Sequence, residues 1–230
     1  MKVNILLLTI NRFDITRFCI GEAMKNAGHP FELCITDNGS TDKRIIEWAQ
    51  ELNPLYHKVN GYNQGTPQAL NEMIEKNPAD AWVFLGNDIR LPANWLADMV
   101  TAAKYVNQLG VVGVNWRPME YEQVIINGVP LWKTERVFGD MFITNKLRQK
   151  IGRFCEDYGV YGFWDSDYSI RAGIAGHPNY YLADKTSLHE GDDVGQNNPY
   201  RKMKDEALAK GKEIWMENWK RYEATKEVYI

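Results

Sequence analysis

Short apolar runs alternate with amphipathic segments along the first half of the chain. The apolar runs predict five strands, at residues 3–9, 31–36, 56–60, 81–85 and 111–115. The segments between them have apolar residues at helical spacing and predict helices at residues 16–26, 42–52, 66–77 and 95–109. This alternation of strands and helices predicts an α/β fold with a mostly parallel central sheet flanked by helices.

The second half of the chain has a less regular pattern. Residues 121–142 predict a β-hairpin that turns at Asn127 and Gly128. Helices are predicted at residues 146–151 and 165–175, and the Gly-, Asn- and Asp-rich segment 189–199 predicts a mobile loop. Residues 201–230 carry a charged amphipathic helix. We therefore expect one domain over residues 1–200, followed by a helical extension.

Composition excludes some classes of partner. The formal net charge is −3, so no general basic field would attract nucleic acid or an anionic membrane. The cysteines, Cys19, Cys34 and Cys155, lie too far apart in sequence for a zinc motif or a disulfide framework. The apolar start is interpreted as a strand rather than a signal peptide, and no stretch is long enough to span a bilayer. We expect a cytoplasmic protein without a membrane anchor.

Carboxylates follow two of the predicted strands. Asp37, Asn38 and the turn up to Asp42 follow the second strand, and Asp88 follows the fourth. Ligands of such sheets bind beyond the carboxyl ends of the strands, so both segments are expected at one edge. Asp37 either accepts a hydrogen bond from a nucleobase or closes an Asx turn. Asp88 either binds a hard divalent cation through its oxygens or caps a turn.

Three further segments carry candidate chemistry. Asp165 and Asp167 begin a predicted helix, where each carboxylate acts either as a general base or as a partner of the helix dipole. Arg171, one turn later, is placed to pair with Asp167. His189, in a polar loop, is either a metal ligand or an exposed side chain. Residues 63–66 precede a helix N-terminus, which suits either phosphate binding or simple capping.

These segments together resemble the GT-A glycosyltransferases, most closely the family-2 group, over residues 2–195. Residues 9–12 look like that family's T-x-N-R turn, and residues 37–42 are similar to its D-[DN]-G-S-x-D segment. Residues 63–65 look like its N-x-G segment. Residues 86–88 fall on its metal-binding D-x-D, and residues 164–167 with Arg171 fall on its E-D-x-D…R. His189 falls where many members place a metal-binding histidine.

The resemblance implies a GT-A fold and a sugar transfer from a nucleotide-diphosphate donor, expected to be UDP-linked, to an acceptor hydroxyl with inversion. Asp165 is the implied general base, and Asp88 and His189 are the implied ligands of Mn²⁺ or Mg²⁺. Residues 1–115 would form the nucleotide-binding half and residues 116–200 the acceptor half. The implied donor contacts are Thr9, Asn11, Arg12, Asp37, Asn38, Asn63, Gly65, Asn87 and Asp88. The implied acceptor contacts are Trp164, Asp167 and Arg171.

The chain departs from the family pattern at two positions, and alternatives stay open. Gly86 replaces the first Asp of D-x-D, and Trp164 replaces the Glu of E-D. The alternatives are a retaining GT-A enzyme, a sugar nucleotidyltransferase and a non-catalytic nucleotide or sugar binder. The nucleotidyltransferase is disfavoured because no Gly-rich triphosphate loop with a Lys follows the first strand. The acceptor is unassigned, with a glycan, a protein and a modified nucleic acid base as open classes.

Overall fold

The computed structural model describes residues 1–115, 122–190 and 199–230. The strands of the described residues are β1 Val3–Thr9, β2 Glu32–Asp37, β3 Tyr56–Val59, β4 Ala81–Leu85, β5 Ile89–Arg90, β6 Val112–Asn115, β7 Gln123–Ile126, β8 Val129–Thr134, β9 Met141–Thr144, β10 Asn179–Thr186 and β11 Leu188–His189. The helices are α1 Phe13–Lys25, α2 Lys43–Glu51, α3 Thr66–Lys76, α4 Trp95–Tyr105, α5 Asn145–Ile151, α6 Trp164–Ile174 and α7 Pro199–Thr225, with a 3-10 turn at Glu156–Tyr158.

Nine of the strands in the described part form one mixed sheet in the order β3-β2-β1-β4-β9-β6-β10-β8-β7. The first four strands are parallel, as are β6 and β10. Strand β9 lies antiparallel between β4 and β6. The prediction of an α/β fold with a mostly parallel sheet is confirmed, and the sheet is mixed because β9 and the hairpin run against their neighbours.

The predicted hairpin turn is present between β7 and β8. Asn127 and Gly128 both have positive φ, 47° and 84°, as a two-residue hairpin turn requires. The predicted hairpin range differs from the structure because its last residues belong to β9, on the other side of β6 and β10. Residue 121, where the predicted hairpin begins, lies outside the described residues, as do residues 191–198 of the predicted mobile loop.

Both faces of the sheet are covered, which explains the uninterrupted apolar run of β1. Ile5 and Leu7 pack on one face with Ile20 of α1. Leu6 points the opposite way and packs with Leu70 of α3. Alternate residues of a strand point to opposite faces, so a strand in the middle of such a sheet needs apolar residues at every position.

The predicted C-terminal helix is α7, and it packs into the second of these cores. Trp215 is 8% exposed and contacts Phe163, and Tyr222 is 1% exposed. The helix begins at Pro199, two residues earlier than predicted, and lies against α6 and the 3-10 turn. The division of the chain at residue 200 stays a prediction.

Within the described ranges, no helix combines the length and the apolar character needed to cross a bilayer.

A charge pair is buried between α6 and α7. Arg171 Nε lies 2.8 Å from Asp167 Oδ2, and neither side chain has exposed surface. Asp167 Oδ1 accepts hydrogen bonds from the hydroxyls of Tyr158 and Tyr222, each at 3.1 Å. The guanidinium also donates to backbone carbonyls. The predicted pairing is present, but the placement corrects the assignment of both residues to the acceptor pocket, because their polar atoms are used inside the core.

We expect Asp167→Ala to lower the free energy of unfolding by about 3–5 kcal/mol, because it leaves the buried guanidinium of Arg171 without its carboxylate. Urea denaturation followed by circular dichroism measures the change. Asp205→Ala, on the exposed side of α7, is the matched control and should change stability by less than about 0.5 kcal/mol. Equal stability of the two variants would show that the pair is not a stabilising element.

Candidate functional site

A cavity of about 630 Å³ lies beyond the carboxyl ends of β1, β2 and β4. It receives side chains from both halves of the chain, as an open α/β sheet is expected to arrange them. The predicted site residues on its wall are Arg12, Asn38, Asn63, Asn87, Asp88, Trp164, Asp165 and His189. Further wall residues that were not predicted include Phe138, Asp140, Lys204 and Leu208, and Tyr161 also lines the cavity.

Asp37 organises the turn after β2 and does not line the cavity. Its side chain is fully buried, and Oδ2 accepts a hydrogen bond from the Thr9 hydroxyl at 2.9 Å. Oδ1 accepts from the backbone N–H groups of Gly39 and Ser40 at 3.2 and 2.8 Å. The Asp37 carboxylate, predicted to bind the base, thus accepts its hydrogen bonds from Thr9 and from the turn that follows β2. The next residue, Asn38, faces the cavity.

The side chain of Asn38 is held in place by neighbouring amides. Its Nδ2 donates to Asn63 Oδ1 at 2.8 Å, and its Oδ1 accepts from Asn60 Nδ2 at 3.0 Å. Asn63 Oδ1 also accepts from the Gly65 N–H at 3.0 Å. These contacts connect the ends of β2 and β3 with the start of α3, so they form a rigid polar wall at this end of the cavity.

Asn11 and Arg12 turn the chain sharply after β1. Both have left-handed backbone conformations, with φ of 51° and 57°, which are uncommon for residues with side chains. Asn11 Oδ1 accepts hydrogen bonds from the N–H groups of Thr41 and Asp42 at 2.9 and 3.1 Å. Asn11 therefore supports the turn, whereas Arg12 reaches the cavity.

Asp88, Arg12 and His189 meet at one end of the cavity. Arg12 Nη1 lies 2.8 Å from Asp88 Oδ2, and His189 Nε2 lies 3.5 Å from Asp88 Oδ1. The ribbon of β5 and β11 brings His189 here, because it pairs His189 with Ile89. Asn87, beside Asp88, donates from Nδ2 to the Thr16 hydroxyl at 3.1 Å.

The residues at this end fit a divalent cation that is shared with a diphosphate. Asp88 supplies a carboxylate and His189 an imidazole nitrogen within 3.5 Å of it. Among the described residues, however, no three His, Cys, Asp or Glu side chains stand close enough together to enclose an ion alone. Mg²⁺ is commonly held by one or two carboxylates with substrate phosphates completing its shell. The donor set therefore suits a metal–diphosphate complex better than a bare ion.

Asp165 lies on the cavity wall at the start of α6. Its Oδ2 accepts a hydrogen bond from the Gly139 N–H at 3.2 Å, and its Oδ1 accepts from the Ser166 N–H at 2.7 Å. Burial raises the pKa of Asp165 above its ordinary value, although these N–H donors act in the opposite direction. The carboxylate is thus oriented by backbone donors and is a better proton acceptor than an ordinary aspartate.

Trp164 forms part of the wall from within the core. It is 5% exposed, and its ring meets Phe84 and Phe154 edge to face at centroid distances of 5.3 and 5.5 Å. These contacts fix the first residue of α6. Trp164 therefore supports Asp165 and offers little surface to an acceptor.

Asp140 is the site residue that the sequence analysis missed. It directly precedes β9, is 2% exposed, and accepts a hydrogen bond at Oδ1 from the Gly86 N–H at 2.8 Å. Burial raises the pKa of Asp140 to about 7, and the negative charge of Asp88 adds to the shift. Its only sequence signal was a Gly-Asp pair directly before an apolar strand, and such pairs also occur in ordinary turns.

Helix α7 contributes another wall of the cavity, through residues that the sequence did not single out. Lys204 and Leu208 line the cavity from α7, opposite Tyr161, and Lys204 Nζ lies 4.5 Å from the centroid of the Tyr161 ring. Tyr161 belongs to the Gly- and aromatic-rich segment before α6. The apolar pattern of α7 identified a packed face, but only the three-dimensional arrangement shows that its first turns also border the cavity.

The profile of glycosyl transferase family 2 matches residues 5–165, more than half of the chain. The chain therefore belongs to glycosyl transferase family 2, and the predicted resemblance to this family is confirmed. No curated protein sequence matches the chain.

Solved GT-A structures share its fold. GalNAc-T7 with UDP, GalNAc and Mn²⁺ is 12% identical with a TM-score of 0.68, over 86% of this chain and 45% of that one. The mannosyltransferase PcManGT from Pyrobaculum calidifontis, with GDP-Man and Mn²⁺, is 18% identical with a TM-score of 0.63, over 84% and 58%. S. aureus TarS 1-349 with UDP-GlcNAc is 14% identical with a TM-score of 0.58, over 98% and 73%. The chain thus spans about half the length of the first two.

We expect Gly65→Ala to destabilise the protein by at least about 2 kcal/mol. Gly65 has φ of 92°, and an added Cβ would lie 2.4 Å from the carbonyl oxygen of Gly159. Gly61→Ala is the matched control, because a Cβ there meets nothing within 4 Å. Thermal and urea unfolding measure both variants. Equal stability would contradict the close contact between the two halves of the cavity rim.

Proposed function

We propose that the protein transfers a sugar from a nucleotide-diphosphate donor, expected to be UDP-linked, to an acceptor hydroxyl with inversion. The observation that carries the proposal is the arrangement of one cavity. Asp88, Arg12 and His189 lie at one end of the cavity, and the oriented carboxylate of Asp165 lies on the wall of the same cavity. Family membership supports sugar transfer as the reaction.

The donor end is suited to a nucleoside diphosphate. Asn38 and Asn63 offer fixed amide groups for the base, and Arg12 offers a cation for the phosphates. Asp88 and His189 would hold Mn²⁺ or Mg²⁺ together with the diphosphate. When bound, the ion supplies positive charge that stabilises the departing diphosphate. The UDP and Mn²⁺ bound in the GalNAc-T7 structure, and the GDP-Man and Mn²⁺ bound in the PcManGT structure, support this assignment by analogy.

Asp165 is the proposed general base. As a carboxylate it would take the proton of the acceptor hydroxyl while that oxygen attacks the sugar carbon, and the bond to the diphosphate oxygen would break on the opposite face. One displacement of this kind inverts the configuration at that carbon. The N–H groups of Gly139 and Ser166 keep the carboxylate in one orientation, so less reorganisation is needed during the reaction.

The acceptor side is bordered by Tyr161, Phe138 and the first turns of α7. Aromatic faces and the Lys204 ammonium suit a glycan, but a protein side chain or a modified base also presents a hydroxyl. The acceptor class therefore stays open, and the proposal concerns the donor and the chemistry.

We expect calorimetric titration of UDP and GDP to give Mn²⁺-dependent binding of one of them, with Mn²⁺ alone binding weakly because the diphosphate completes its shell. Asp88→Asn should weaken the Mn²⁺-dependent binding by about 10- to 100-fold. Asp98→Asn, which alters a carboxylate paired with Lys185 outside the cavity, is the control.

If EDTA leaves nucleotide binding unchanged, Arg12 and not a metal ion neutralises the charge of the phosphates. The metal would then no longer belong to the proposed site. Absence of any nucleotide binding, with or without Mn²⁺, would contradict the donor site as a whole.

We expect Asp165→Asn to lower turnover, measured as UDP or GDP release from the donor, by about 10²- to 10⁴-fold while donor affinity changes little. In the unmodified protein, only ionised Asp165 is active. Burial raises the pKa of Asp165. As the pH is lowered, activity should therefore be lost above the pH of ~3.9 that matches the pKa of an ordinary aspartate.

The pH profile needs one control, because Asp140 also has a raised pKa. If activity still falls at the same pH in Asp140→Asn, the group whose protonation causes the fall is Asp165. Full turnover of Asp165→Asn would exclude it as the base and leave the retaining mechanism, whereas a protein with donor affinity but no turnover in any form would be a binder.

A further inference from the structure

Asp140 occupies the space between the two reactive ends of the cavity. Its carboxylate lies against the backbone of Gly86, two residues before Asp88. Its neighbour in sequence, Gly139, donates its N–H to the carboxylate of Asp165. The turn before β9 is therefore bonded to the metal-binding segment on one side and to the proposed base on the other.

The carboxylate of Asp140 has one oxygen occupied and one available. Oδ1 accepts from the Gly86 N–H, and Oδ2 has no hydrogen-bond partner among the residues that the structure describes. The side chain is 98% buried yet lines the cavity. Oδ2 therefore offers the cavity a hydrogen-bond acceptor that no protein group of the described ranges uses, and a ligand group that donates a hydrogen bond would be favoured here.

The proposed reaction determines which part of the substrate lies at this point. The departing diphosphate would bind beside Asp88 and His189, and the attacking hydroxyl would lie beside Asp165. An in-line displacement places the transferred sugar between them. Sugar hydroxyls are hydrogen-bond donors, and a carboxylate oxygen is their natural acceptor.

We infer that Asp140 binds hydroxyl groups of the transferred sugar through Oδ2 and thereby selects the donor sugar. The inference rests on the proposed function. A role as third metal ligand is disfavoured, because no three carboxylate or imidazole groups of the described residues converge closely enough to hold an ion.

The test compares nucleotide with nucleotide sugar. UDP, UDP-glucose, UDP-galactose and UDP-GlcNAc are titrated calorimetrically, with Mn²⁺, into the unmodified protein, Asp140→Asn and the control Asp98→Asn. Asparagine keeps the shape and can still accept from the Gly86 N–H through its oxygen. We expect Asp140→Asn to bind UDP within about twofold of the unmodified protein and to lose about tenfold or more of the affinity gained from the preferred sugar. Asp98→Asn should change neither.

Several outcomes would overturn the inference. Equal weakening of UDP and UDP-sugar binding in Asp140→Asn would place Asp140 with the diphosphate and metal. Unchanged sugar preference with a lowered melting temperature would make it a structural residue. Equal affinity of the unmodified protein for UDP and every UDP-sugar would show that the cavity does not recognise the sugar. In each of these results the unmodified protein still binds a nucleotide, whereas absence of all nucleotide binding by the unmodified protein refutes the proposed function itself.

If Asp140→Asn folds poorly, Asp140→Glu gives the second measurement. It keeps the charge and shifts it by one methylene group. We expect it to change the order of preference among the three UDP-sugars, while UDP alone binds as before; an unchanged order would count against the inference.

Discussion

The second half of the molecule depends on one buried ion pair, between Asp167 and Arg171. A guanidinium without solvent must have its N–H donors satisfied by the protein, since the cost of desolvating it is otherwise not recovered. Here the donors reach the carboxylate of Asp167 and the backbone carbonyls where α5 and the following loop end. The hydroxyls of Tyr158, in the 3-10 turn, and of Tyr222, in α7, donate hydrogen bonds to the Asp167 carboxylate. Four segments are therefore held in one relative position, and Asp165 takes its position from them.

Local patterns predicted most of the fold, because buried strands and amphipathic helices have distinct periodicities. They could not place β9, since the order and direction of strands depend on contacts between segments far apart in sequence. The same limit applies to the site. Asp165 and Asp167 belong to one short motif, yet residues two apart on a helix point about 200° from each other. One therefore faces the cavity and the other the core, a distinction that only the packing of α6 reveals.

Asp37 and Asn38 illustrate a similar limit at the end of a strand. Their sequence identified the turn, but the choice between a ligand-binding and a structural carboxylate depends on which side each neighbour faces. The four hydrogen bonds accepted by Asp37 come from Thr9, Gly39 and Ser40, all within the framework. Asp140 had no comparable signal, because its role follows from its position beside Gly86, a residue distant in the chain.

Helix α7 is attached at one end and borders the cavity at the other. Trp215 and Tyr222, in its second half, are buried in the core, whereas Lys204 and Leu208, in its first half, lie beside the cavity. Mutations of Lys204 and Leu208 would therefore change the shape and charge of this side of the cavity, which we propose receives the acceptor. On that proposal, substitutions in these first turns would alter the choice of acceptor while the buried side chains of Trp215 and Tyr222 remain unchanged. It is also the natural segment to randomise when a new acceptor is sought.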